Sequence, residues 1–143
     1  MKRYLIVAIL LLAVCAVLLA VPAIAEERAL RNNWNTDACG LTDTAVMHLE
    51  WPTHVHHVEL WYNWLGDQRH VPYKLFHEGR LIREGAFKRG SCDANQPSWC
   101  VASEHLDAHL HSGRYTFKVE GGRVCQNSGS RGMGFIKIYG KER

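Results

Sequence analysis

Three of the nine histidines in this 143-residue chain fall in one tetrapeptide, His54-Val55-His56-His57. On an extended strand alternate side chains share a face about 7 Å apart. His54 and His56 could therefore present two imidazoles to one zinc or copper ion, both of which accept neutral imidazole nitrogen. A second bunch, His105-x-x-x-His109-x-His111, puts His105 and His109 one helical turn apart, a chelating pair if that stretch is helical. Neither bunch supplies the acidic base of a His-Glu-x-x-His motif. The competing reading is of solvent-facing polar positions on an amphipathic strand and a loop.

The densest aromatic feature is Trp61-Tyr62-Asn63-Trp64. Side chains alternate across a strand, so Trp61 and Asn63 face away from Tyr62 and Trp64, and one set packs while the other is displayed. A displayed Trp61 beside the Asn63 amide and the Glu59 carboxylate would stack on a sugar ring and bond its hydroxyls, because a flat ring loses little side-chain entropy on binding. Trp34 and Trp99 are further candidates for the rim of such a site. The alternative is that all these rings lie in the core or under loops.

Catalytic signatures are sparse. No Gly-x-Ser-x-Gly elbow occurs, and the Gly-rich run Asn127 to Gly134 lacks a following Lys-Ser/Thr pair and leads into a strand, which excludes a phosphate-binding loop. No catalytic residue is named on this basis. A binding module is preferred, with a His-dependent zinc or copper protein and a small secreted hydrolase as alternatives.

The elements that must position these residues read as strands. Ala45, Met47, Leu49 and Trp51 alternate with polar neighbours until Pro52, and Val58, Leu60, Tyr62 and Trp64 form the apolar side of the run His54 to Trp64. His70 to His77 is a third strand, an edge or late-starting one because of Pro72. Glu78-Gly79 turns it into Arg80 to Lys88, with Gly85 as an expected bulge. Ser103 could cap a short helical turn to His111, or Val101 could continue a strand; the helical turn is favoured. Tyr115, Phe117 and Val119 alternate with Thr116 and Lys118, Gly121-Gly122 suggests a tight hairpin into Val124, and Phe135 to Tyr139 closes the chain. About seven or eight short strands with these turns fit an all-β, antiparallel two-sheet β-sandwich.

Export is expected from the first 25 residues. Lys2 and Arg3 precede an apolar run to Val21, and Ala23-Ile24-Ala25 offers small residues before Glu26. A cleaved signal peptide over 1–25 and a single domain over 26–143 is the favoured division. An uncleaved membrane anchor is the alternative, since the run approaches the roughly 20 residues that span a bilayer, and only then is the membrane a partner. Either way the domain is secreted or periplasmic, and its four cysteines suit an oxidising compartment. The turn-rich loop between Cys92 and Cys100 favours a bridge there, leaving Cys39 to meet Cys125; no Cys pair has structural-zinc spacing.

Without Lys2 and Arg3, 15 basic residues stand against 14 acidic ones, a net charge of +1 with His neutral. A near-neutral domain without a basic stripe argues against a nucleic-acid partner. An envelope glycan or another extracytoplasmic protein is the expected ligand.

The run Leu110-His111-Ser112-Gly113-Arg114-Tyr115-Thr116-Phe117-Lys118-Val119 resembles the Leu-x-x-Gly-x-Tyr-x-x-x-Val approach to a late strand in immunoglobulin-like and carbohydrate-binding β-sandwich modules. The resemblance covers ten residues and implies a fold, not an activity.

Overall fold

The computed structural model describes residues 27–143; the expected signal peptide and its cleavage site before Glu26 lie outside them. Ten strands are formed: β1 (Arg31–Asn32), β2 (Gly40–Thr42), β3 (Thr44–Leu49), β4 (Thr53–Asn63), β5 (His70–His77), β6 (Arg80–Cys92), β7 (Trp99–Leu110), β8 (Gly113–Val119), β9 (Val124–Gln126) and β10 (Ile136–Glu142). Among the described residues no helix is long and apolar enough to cross a membrane.

The period-two reading holds in the core. Ala45, Met47 and Leu49 of β3, Val58, Leu60 and Tyr62 of β4 with Trp64 just beyond it, Val71, Tyr73 and Leu75 of β5, and Tyr115, Phe117 and Val119 of β8 are all buried. Tyr73, Phe87 and Phe117 meet there with ring centroids 4.7 to 5.6 Å apart. Trp51, which continues the alternation of β3 in the sequence, lies past the strand end and is 59% exposed.

All pairings are antiparallel, and they form one sheet in the order β1-β10-β4-β7-β6-β5-β8-β3, with β2 and β9 paired beside it. The expected two separate sheets do not form. The thirteen-residue β6 pairs with β5 from Arg80 to Lys88 and with β7 from Lys88 to Cys92, so one continuous strand carries the sheet round the corner. The eight strands roll into a nearly closed barrel, whose ends meet where the Gly134 amide donates to the Thr44 carbonyl at 2.8 Å.

Four local expectations are corrected. Residues 103–111 hold no helical turn: Trp99–Leu110 is a strand, because Cys100, Ala102 and Leu106 bury along it while its backbone pairs with β4. Gly85 is not a bulge; it pairs with Tyr73, whose hydroxyl oxygen would stand 2.6 Å from a Cβ placed there. Gly121-Gly122 does not fold β9 back on β8. The turn at Glu120–Gly122, with φ of 80° and 62° at its glycines, sends β9 to β2 and to Tyr62 of β4. Pro72 leaves β5 an interior strand, and its missing N–H is tolerated because the β8 ladder begins only at Tyr73.

Both expected disulfides are present, Cys39–Cys125 and Cys92–Cys100. The first ties the segment before β2 to β9, and the second closes the β6–β7 connection. Two disulfides in a domain of this size fit an oxidising, extracytoplasmic environment.

Candidate functional site

The outer face of β4 and β7 carries the chemistry in a row. Cross-strand partners run His54–His109, His57–His105, Glu59–Ser103, Trp61–Val101 and Asn63–Trp99. The apolar partners of these residues fill the barrel, which leaves the intervening side chains on the outside.

At one end of the row lies an aromatic cleft of about 610 Å³. Trp61 and Trp99 are nearly parallel, at 17° with centroids 6.3 Å apart, and Trp34 leans on Trp61 at 5.6 Å. Lys137 of β10 stands over the Trp34 ring, with Nζ 3.9 Å from its centroid, a cation–π contact. All three tryptophans are half-buried. The polar wall comes from Asn35, Thr36 and Asp37 of the lead-in and from Asp93 and Gln96 of the Cys92–Cys100 loop.

That loop is held in shape. Asp93 Oδ1 accepts from the amides of Asn95 and Gln96, and the Asp93 amide donates to the Trp99 carbonyl. Across the cleft, Asn35 and Asn127 exchange reciprocal amide bonds at 3.0 and 2.7 Å, and the Asp37 amide donates to Asn35 Oδ1. Asp37 and Asp93 therefore line the cleft on two braced loops.

The structure separates the expected sugar-binding set. Trp61 lines the cleft, but Glu59 and Asn63 are engaged elsewhere. Glu59 pairs with His57 Nε2 at 3.1 Å through Oε1 and accepts from the Tyr139 hydroxyl at 3.1 Å through Oε2. Arg123 donates to the carbonyl of Asn63 at 2.7 Å and to its Oδ1 at 2.9 Å. Asp37, Asp93 and Gln96 form the polar lining of the cleft instead, and turn residues such as these carry no periodic signal in the sequence.

At the other end, the histidines regroup. His54 stacks on His109 with centroids 4.2 Å apart and 21° between planes, and tilts against His56 at 4.3 Å. His105 leaves His109 and joins His57 instead, with ring centroids 4.9 Å apart, next to Tyr139. Partial desolvation, then the neighbouring His54, hold the His109 imidazole below its usual value, with Asp107 opposing. His57 Nδ1 is buried without a hydrogen-bond partner.

No protein-family model, no curated protein and no solved structure matches this chain.

Proposed function

We propose that this protein is a secreted or periplasmic, non-enzymatic module that binds a neutral or amino-sugar stretch of an extracytoplasmic glycan in the Trp34–Trp61–Trp99 cleft. The observation that carries the reading is the near-parallel Trp61–Trp99 pair, with Trp34 beside it, in a cleft rimmed by Asp37 and Asp93. A pyranose has one apolar C–H face and a belt of hydroxyls, so indole faces stack on the first while carboxylates accept hydrogen bonds from the second. The two carboxylates also set charge preference: they attract an ammonium group and repel a uronate.

The disulfides and the export-type leader sequence support an extracytoplasmic setting, where such glycans are found. The bracing of both cleft loops lowers the ordering cost of binding.

The test is calorimetric titration with oligosaccharides of three kinds, neutral, amino-sugar and uronate, on the native protein and on Trp61→Ala and Trp99→Ala. Binding of the first two kinds, weakened at least about tenfold in either variant, is expected. Preference for uronates, or binding untouched by both substitutions, overturns the reading. Chromatography of the ligand after incubation should show it intact; cleavage would make the protein a hydrolase.

A further inference from the structure

Away from the aromatic cleft, the end of the β4–β7 ladder gathers a different set of groups. His54 Nε2 lies 2.7 Å from Asp107 Oδ1, and one ligating atom from each of His54, His56 and Asp107 lies within 4.8 Å of the other two. The sequence places Asp107 53 residues from His54.

Two irregularities of the sheet make this meeting. In the β4–β7 ladder the register shifts between Val55 and His57, so His56 stands opposite the two residues Leu106 and Asp107. Leu106 turns into the core, and Asp107 takes a φ of 42°, a left-handed conformation that aspartate tolerates better than most residues. In the β4–β10 ladder the shift falls between Tyr139 and Gly140, where His56 is the extra residue on β4. Gly140 is required by that packing, because a Cβ would fall on the His54 carbonyl oxygen. The bulges thus gather His54, His56 and the Asp107 carboxylate at one point on the barrel surface.

We propose that His54, His56 and Asp107 form a binding site for a borderline divalent transition metal, zinc or copper(II). The chemistry of the donors selects that class. Two neutral imidazoles with one carboxylate suit zinc and copper, whereas calcium and magnesium need a shell of oxygens. Tetrahedral zinc with bonds of about 2.0 to 2.2 Å sets ligand atoms about 3.3 Å apart. The separations here, 2.7 Å between His54 and Asp107 and none above 4.8 Å, bracket that edge.

Without a cation, His54 Nε2 and Asp107 Oδ1 meet in a hydrogen bond of 2.7 Å. The His109 ring, stacked on His54, restrains that imidazole. Asp107 is exposed, with 78% of its side chain open to solvent, which leaves an approach for the ion and for a water on the remaining coordination position. Lys141 pairs with His54 in the β10 ladder and opposes a cation there; the Asp107 charge offsets it. This site is independent of the glycan-binding reading.

The experiment is titration of the purified, metal-stripped protein with zinc, copper(II) and calcium chlorides, followed by calorimetry and imidazole NMR. One zinc or one copper(II) per chain is expected, copper the tighter, with no calcium uptake. His56→Ala and Asp107→Gly should each weaken zinc binding at least about tenfold, and glycine accepts the backbone angle at position 107. His105→Ala, which alters the His57 pair, should leave zinc affinity unchanged. Absence of zinc and copper binding overturns the proposal. So does affinity unchanged in His56→Ala or Asp107→Gly, or a loss shared equally with His105→Ala, which would mark diffuse binding to a histidine-rich surface. Circular dichroism of each variant checks that affinity is lost without loss of fold.

Discussion

The Tyr73 hydroxyl on β5 donates to Glu104 Oε1 on β7 at 3.2 Å, reaching past β6, the strand between them. The β6–β7 ladder pairs no residue before Lys88 on β6 or after Ser103 on β7, so the upper part of this corner has no backbone pairing between the two strands. Side chains bridge it instead. Arg83 Nη1 donates to the Leu106 carbonyl at 2.9 Å, and Arg83 Nη2 stands 3.6 Å from the same Glu104 oxygen. Gly85 has no side chain to obstruct the Tyr73 ring.

This brace makes stability fall at high pH. Burial first, then the Glu104 charge, push Tyr73 up to about 12 from an ordinary value of 10.0. The folded state therefore holds a proton that the unfolded chain gives up. The contribution is complete below about pH 10 and is lost as pH rises to about 12, amounting to roughly 2 to 3 kcal/mol. Urea denaturation at successive pH values should show this decline. Tyr73→Phe should flatten it, leaving the smaller slopes of Tyr62 and Tyr115, which burial also raises.

Gly85→Ala should destabilise the barrel by about 1 to 3 kcal/mol, since the new methyl meets the Tyr73 phenol. The cost is not additive. On a Tyr73→Ala background the same substitution should cost less than about 1 kcal/mol, giving a coupling measurable by a double-mutant cycle.

Trp64 and Trp61 should respond oppositely to truncation. Trp64 is 2% exposed and its indole N–H donates to the Cys100 carbonyl, so Trp64→Ala should cost about 3 to 5 kcal/mol. Trp61 is half-buried in the cleft, and Trp61→Ala should cost about 1 kcal/mol or less while removing glycan binding. Thermal melts beside the oligosaccharide titration distinguish the two.

The disulfides should divide stability from function. Cys39–Cys125 spans 86 residues, and replacing both by Ser should cost about 2 to 5 kcal/mol. Cys92–Cys100 spans only 8, and its removal should cost less in denaturation yet weaken oligosaccharide binding more, because Asp93, Gln96 and Trp99 all belong to the short loop or its edge.

The strands were legible in the sequence because burial of one sheet face imposes period two, and no neighbour is needed to read it. Val58, Leu60, Tyr62 and Trp64 point inward as their spacing implies. The turn-rich segment between Cys92 and Cys100 likewise indicated its own bridge, since loop closure is a local property. Residues 103–111 read as a helical turn in the sequence because Leu106 and Leu110 sit four apart, a spacing that suits one face of a helix as well as a strand interrupted by a bulge.

Only the tertiary structure decided which neighbours each strand acquires, and with them the sites. Whether β6 ends in one sheet or continues into the next depends on long-range pairing, which turned the expected sandwich into one rolled sheet. Trp34, Trp61 and Trp99 are scattered along the chain and converge because the segment just after β1 lies on the same side of the sheet as β4 and β7. Asp107 joins His54 and His56 through register shifts in two ladders, and a register shift is set by the partner strand, so no pattern within His54-Val55-His56-His57 could reveal it.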